Sequence, residues 1–395
     1  MKKGFTLMEL LAVIVILSIL SIIVFPNVVS IINNSKENLY QSQLRELETI
    51  TKNFSLEHKE LLDKNHLNDT YISLESLKKS KYLEQTKISN PKTGNEMTGC
   101  MKISYNHENN QYVYQYLDIV CENDSTISGY VILYNNGFIK EEKGTIIKSA
   151  YDVIIENNKD KIYTIGNTSD GLYDVGDEYI FRGTSPYNYA RLGNGGDLYR
   201  IISLNKENKT IKLIKVIPES SSYSTNNSNS FITSSVAEYL LNFITNGNLS
   251  SYSNKVVDSG KWLNGILDLS IKNMTYEVLK STEATATVSN KLGLINISDY
   301  VIASLDTSCS KNITSTSCKN SNYLYNDLFK GKSLWTMNNS TSNNVITLED
   351  GVINDHSLNS TIDSSYGIYP VVILKKGVTI KSGDGSSLSQ AYIIE

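Results

Sequence analysis

Met1-Lys2-Lys3-Gly4-Phe5-Thr6-Leu7-Met8-Glu9-Leu10 opens the chain, and an apolar run continues from it to Phe25. At about 1.5 Å of helical rise per residue, Phe5 to Phe25 spans roughly 30 Å, the thickness of a bilayer's hydrocarbon core. Lys2 and Lys3 stand just before the run. The positive-inside bias puts that end in the cytoplasm and everything after Phe25 outside. A single carboxylate, Glu9, lies within the run. An acid inside a membrane helix costs about 3 kcal/mol on the insertion scale, which marks Glu9 as a functional residue. A secretory signal peptide would place a small-residue cleavage site after its apolar core. Phe25-Pro26-Asn27 follows here and offers none.

The stretch Lys3-Gly4-Phe5-Thr6-Leu7-Met8-Glu9 resembles the type III signal of type IV pilins and pseudopilins. The resemblance implies a membrane peptidase that cuts after Gly4 and methylates the new N-terminal residue, Phe5. Glu9 then becomes the fifth residue of the mature chain, matching the family's acid. It also implies that Glu9 of an incoming subunit pairs with the Phe5 ammonium of its neighbour. Two charges that are costly alone in apolar surroundings neutralise each other in this way. The implied partners are the prepilin peptidase and methylase, other pilin subunits with their assembly machinery, and the membrane. The implied location is a single-pass membrane protein, N-terminus inside, that moves into an extracellular filament. The resemblance brings neither a cofactor nor an enzymatic activity.

The helix is expected to outlast the bilayer. Leu39, Leu44, Leu47, Ile50, Phe54 and Leu61 recur at helical spacing among charged residues, an amphipathic continuation to about Leu62. Pro26 removes one backbone donor, so a kink or local melting is expected there. Residues 65–98 read as a connection with one short helix, Leu74–Lys78, and a turn at Asn90-Pro91-Lys92-Thr93-Gly94. Strands are expected at Cys100–Tyr105, Gln111–Cys121 and Ser128–Ile139, the last with Asn135-Asn136-Gly137 as an internal turn or bulge. An antiparallel sheet of these strands would cover the helix, which is the pilin-like arrangement.

The chain has 395 residues, more than a typical pilin-like subunit, so an added module is expected. The domain reading is 1–4 leader, 5–25 membrane and filament-core helix, 26–145 pilin-like helix and sheet, 146–161 linker and 162–395 extracellular domain. Four cysteines fall into two local pairs, Cys100 with Cys121 and Cys309 with Cys318. Outside the membrane such pairs suggest disulfides, and without a CxxC or a nearby histidine a zinc site is not indicated. In the distal part, helices are expected at Val236–Phe243 and Val257–Leu269, and a hairpin joins Leu198–Leu204 to Thr210–Val216.

That distal order includes an arginine-bearing hairpin, Trp262-Leu263-Asn264, a Gly293-Leu294-Ile295 segment leading to Ser298-Asp299-Tyr300, and Tyr369-Pro370-Val371 before a Gly383-Asp384-Gly385 tail. It resembles a module of Gram-positive surface proteins associated with C-type-lectin-like folds. The implied fold class is α+β throughout: a long helix on an antiparallel sheet, then a second α+β, lectin-like domain whose chain ends meet on neighbouring strands. The Glu-Pro-Asn and Trp-Asn-Asp motifs for calcium and sugar are absent, so calcium-dependent sugar binding does not carry over.

Other constellations read as structure. Asp174, Asp177 and Glu178 lack the oxygen spacing of a calcium loop and read as a solvated turn. The four histidines are scattered, and neither a Gly-x-Ser-x-Gly elbow nor a Walker loop occurs. Trp262 and Trp335 are expected in the core. Net charge is −4, which gives no global attraction for nucleic acid. The combined expectation is a non-enzymatic minor pilin or pseudopilin whose distal domain serves recognition or adhesion. Its ligand, whether a surface, glycan, protein or DNA, is unassigned. The alternative is a pseudopilin of a DNA-uptake (competence) or type II-like secretion system.

Overall fold

The computed structural model describes residues 7–84, 88–220, 223, 230–341, 344–357 and 366–395, with backbone alone at 19–27, 29, 220 and 341. The chain divides into two compact units, Met1–Ile147 and Lys148–Glu395.

The first unit is built on α1, Leu7–Glu57, a helix of 51 residues or roughly 77 Å. Its backbone is helical straight through Pro26, so the expected melting does not occur in this conformation. The covered half presents Tyr40, Leu44, Leu47, Thr51 and Phe54 to the core, a seam at spacings of three and four. Leu39, assigned to this stripe from sequence, faces away and is exposed. Thr51 is tolerated in the seam because its hydroxyl donates to the Leu47 carbonyl at 2.7 Å.

Five strands cover the seam: β1 (Thr70–Ser73), β2 (Cys100–Asn106), β3 (Gln111–Leu117), β4 (Gly129–Tyr134) and β5 (Phe138–Lys143). They lie in the order β3-β2-β1-β4-β5. The expected antiparallel meander needs correction, because β1 inserts at the centre and pairs in parallel with β4. The chain leaves β1 through α2 (Leu74–Lys79), whose first turn is capped by Ser73 accepting from the Ser76 amide. The third expected strand is two strands, since Asn135-Asn136-Gly137 closes a hairpin with Tyr134 opposite Phe138. Gly129 must be glycine: its φ is +130°, and a Cβ there would lie 2.2 Å from the Asp69 carbonyl oxygen. Tyr112, Tyr114 and Tyr116 of β3 pack toward α1. The opposite sheet face carries a smaller cluster of Tyr71, Val131 and Ile127 around the Cys100–Cys121 disulfide.

The second unit begins earlier than its expected start at 162. Residues 146–161, expected as a linker, contribute α3 (Ala150–Asn157), which buries Ala150, Tyr151 and Ile154 in the second core. Ser149 caps α3, and the Ala150 amide donates to the Val378 carbonyl. The main sheet has ten strands, and its centre is Leu198–Asn205 against Ile211–Lys215. A bulge at Ile202 lets the long strand take two partners on one edge, Tyr189–Arg191 before it and Glu178–Ile180 after it. The last strand, Tyr392–Ile394, runs parallel to Tyr189–Leu192. The first strand, Ile162–Thr164, pairs with Gly171–Asp174, so the terminal strands are not neighbours. The helix Ser235–Thr245 lies close to the expected one.

Residues 257–269 are not a helix. Gly260–Leu263 is a strand paired with Thr287–Asn290. The indole of Trp262 decides this: it is buried, its Nε1 donates to the Asn290 carbonyl at 2.8 Å, and Gly293 lies against its ring. A Cβ on Gly293 would approach the indole to 2.4 Å. Trp335 is also buried, stacked on Tyr366. Cys309 and Cys318 are bridged, with their Cα atoms 4.5 Å apart.

Candidate functional site

The N-terminal apolar run is helical, and its described side chains form an uncovered surface. Every described side chain from Leu7 to Ser18 is exposed, the large apolar ones from 80 % at Leu7 down to 46 % at Val13. A helix apolar on all sides belongs inside an apolar environment. Full burial of one such side chain is worth about 1.5–3 kcal/mol, so this stretch holds on the order of 15–20 kcal/mol that the isolated fold does not collect. Ser18 already suits such surroundings, because its hydroxyl donates to the Ile14 carbonyl at 2.7 Å.

Glu9 lies in the first turn of α1, where the helix dipole favours a negative charge. Its side chain is exposed among Leu7, Met8, Leu10 and Val13. Lys2, Lys3, Gly4 and Phe5, the residues assigned to orientation, cleavage and methylation, lie outside the described residues. The backbone at Pro26 is helical. Among the described residues no helix is long and apolar enough to cross a membrane, and the run Phe5–Phe25 extends beyond them at its start and in its side chains after Ser18.

The uncovered surface is longer than the sequence reading placed it. Val28, Ile31, Ile32 and Leu39 are exposed at 43, 64, 48 and 58 %. Their spacing of three, four and eleven residues from Val28 puts them on one helical face. That periodicity was available beyond Pro26, but the apolar count falls there among Asn and Ser and hides it. Cover begins at Tyr40. Lys92, from the Pro91-Lys92-Thr93-Gly94 turn, pairs with Glu37 at 2.6 Å and sits 4.3 Å from the Tyr40 ring centroid. The hydrogen bonds from Lys92 and Gln41 hold the Glu37 carboxyl below its ordinary pKa.

Several charged residues of the second unit are committed to its fold. Arg200 is wholly buried, paired with Asp327, bonded to Asn188 and stacked on Tyr189 with its guanidinium carbon 3.6 Å from the ring centroid. Arg182 caps the helix Ile297–Ala303, donating to the Ile302 and Ser304 carbonyls at 2.6 and 2.7 Å. Burial lowers the pKa of both arginines. Glu178 accepts from Tyr276 and Lys280, and Asp174 accepts from Lys206 and the Gly176 amide. The Asp174-to-Glu178 segment therefore turns its oxygens to separate partners. Among the described residues no cluster of three or more His, Cys, Asp or Glu could hold a metal ion.

A family model described as the prokaryotic N-terminal methylation motif matches residues 1–25. The N-terminus carries a type IV pilin-like prepilin signal. The motif implies processing by prepilin peptidase, membrane anchoring and assembly with other pilins into a surface filament, and its family is structural rather than enzymatic. No curated protein and no solved structure matches the chain.

Proposed function

We propose that this chain is a minor type IV pilin or pseudopilin that carries a large display domain. Cleavage after Gly4 and methylation of Phe5 would mature it. The mature helix would cross the membrane in a single pass and then enter the filament core. Glu9 would pair with the Phe5 ammonium of a neighbouring subunit, and the apolar surface from Leu7 to Leu39 would pack on other helices. The observation that carries this reading is the methylation motif joined to one helix, exposed at its described apolar side chains up to Leu39 and sheet-covered from Tyr40. Lys148–Glu395 would be the displayed part. Its size is hard to accommodate on every subunit of a dense helical filament, which supports low stoichiometry or a tip position. Its lectin-like resemblance belongs to this proposal and supports recognition or adhesion.

The alternative, a pseudopilin of a competence or type II-like secretion system, shares the assembly chemistry. DNA binding finds little support. Lys206, Lys209, Lys212 and Lys215, the lysines of one hairpin, each pair with an acid: Asp174, Asp152, Asp299 and Glu219. Mass spectrometry of protein recovered from a sheared surface fraction tests the main reading. The expected N-terminus is Phe5 bearing one methyl group. An intact Met1 in that fraction would make the chain a plain membrane-anchored display protein.

A further inference from the structure

The second unit carries a cleft of about 480 Å³, within the range of small-molecule sites. One wall is the turn Leu192–Asp197, which joins two paired strands of the main sheet, and the other is the segment Asn248–Tyr252. The turn is bare backbone by necessity. Gly193 and Gly195 both have φ of +78°, and a Cβ on Gly196 would lie 2.0 Å from the Leu192 carbonyl oxygen. Arg191 braces it from its own strand by donating to the Gly196 carbonyl at 2.8 Å.

The polar side chains lining the cleft are Asp197, Asn194, Asn248, Ser251, Tyr199 and Tyr252. Asp197, a third exposed, faces Lys215 at 3.4 Å and accepts from the Asn248 amide at 3.5 Å. Lys215 is buried and shared with Glu219, so its charge is already used. Asn194 and Ser251 add an amide and a hydroxyl. Tyr252 supplies an aromatic wall fixed by its hydroxyl, which donates to the Ile394 carbonyl. Tyr199 is wholly buried at the cleft, and its hydroxyl has no hydrogen-bond partner. Burial, with Asp197 and Glu219 adding to it, raises its pKa and keeps the proton on. An unsatisfied hydroxyl inside a core costs about 1–3 kcal/mol, so a fold that keeps one beside a cleft calls for a reason.

We infer that the cleft between Leu192–Asp197 and Asn248–Tyr252 binds a neutral saccharide ring. Its carboxylate and amides can each engage neighbouring hydroxyls, the glycines let a ring approach the backbone, and Tyr252 offers an apolar edge. Asp197 disfavours phosphates and other anions, Lys215 is shared between Asp197 and Glu219, and the nearby cations Arg191 and Lys255 are engaged by the Gly196 carbonyl and the Tyr252 ring. The biological use of this site rests on the reading of Lys148–Glu395 as a displayed domain, whereas the binding itself does not.

The test is a saturation-transfer NMR titration of the full-length chain, in a detergent without a sugar headgroup, with glucose, galactose, mannose and N-acetylglucosamine. Saturable binding of at least one sugar is expected. Asp197→Ala or Asn248→Ala should weaken it about tenfold, equivalent to about 1.4 kcal/mol. Tyr199→Phe should weaken it about threefold or more while the melting temperature holds or rises, an outcome that a purely structural hydroxyl would not give. Failure of all four sugars to bind, or binding unchanged in all three variants, overturns the inference. Mass spectrometry keeps the two readings apart. Methylated Phe5 in filaments without sugar binding removes the saccharide site alone. Sugar binding by a chain that retains Met1 supports the site and removes its use on a filament.

Discussion

Glu9 and Glu283 are both carboxylates set among apolar side chains, and the regions around them are built in opposite ways. Glu283 is fully buried and accepts from both the amide and the hydroxyl of Ser298, joining the end of the helix Tyr276–Glu283 to the start of Ile297–Ala303. Around Glu9 nothing is closed: Leu7, Met8, Leu10 and Leu11 are all more than half exposed. The contrast recurs within α1, where Phe54 is buried and Leu11 is 56 % exposed on one unbroken helix. A fold that seals one carboxylate completely and leaves the other on an apolar helix has divided its work. The sealed region holds the domain together, and in the proposed filament the open region is completed by other subunits.

The largest effect should come from Glu9. Glu9→Val removes the acid but adds apolar surface, so insertion and cleavage should persist. Incorporation into filaments should fall by about tenfold or more, since an uncompensated ammonium in apolar surroundings costs several kcal/mol. Immunoblots of sheared filaments against whole membranes would read this. Normal incorporation of the variant would end the pairing argument and weaken the contrast with Glu283.

Next comes the pair Phe54→Ala and Leu11→Ala. Phe54 touches His58, Tyr82 and Phe138, and its truncation should cost the first unit about 3–5 kcal/mol. Leu11→Ala should leave the stability of that unit within about 0.5 kcal/mol while lowering filament yield. Hydrogen exchange at the β2 and β3 amides follows the first unit, since Trp262 and Trp335 both belong to the second. Equal destabilisation by the two changes would mean that the N-terminal half of α1 is covered by its own subunit.

What could be read from the sequence follows the same division. The open region is local: Gly4, Phe5, Glu9 and the run to Phe25 stand together in the chain, so adjacency alone exposed them. The β2–β3 pair and the Asn135-Asn136-Gly137 turn were legible because alternation and turn chemistry are local as well. β1 was not. Its four residues Thr70–Ser73 are all buried, with Tyr71 in one cluster and Ile72 in the other, so no polar alternation marks it. The segment around Trp262 misread as helix because its strand depends on Asn290 and Gly293, about thirty residues on. Glu283 carries no local mark of burial in the sequence, and only packing against Ser298 places it inside.

The smallest expected effect sharpens the comparison from the sealed side, through pH. Burial pushes the Glu283 pKa up to about 7 from 4.5, with Asp299 adding to the rise, while the Ser298 hydrogen bonds and Lys212 oppose it. The folded state therefore holds this proton more tightly than the unfolded chain. Below the unfolded pKa both states are protonated and Glu283 costs nothing. Between about pH 4.5 and 7 the unfolded chain gives up the proton first, so stability falls as pH rises, and above about 7 the loss is complete. Glu283→Gln imitates the protonated side chain, with its oxygen accepting from the Ser298 amide and its amide donating to the Ser298 hydroxyl. Urea unfolding followed by tryptophan emission should show the wild type weakening by about 1–3 kcal/mol, relative to Glu283→Gln, between pH 5 and pH 8. Parallel pH profiles for the two proteins would mean that Glu283 is ionised at both pH values and already compensated by Lys212. The buried carboxylate would then resemble the pairing proposed for Glu9, with the compensating cation supplied by its own fold rather than by a neighbour.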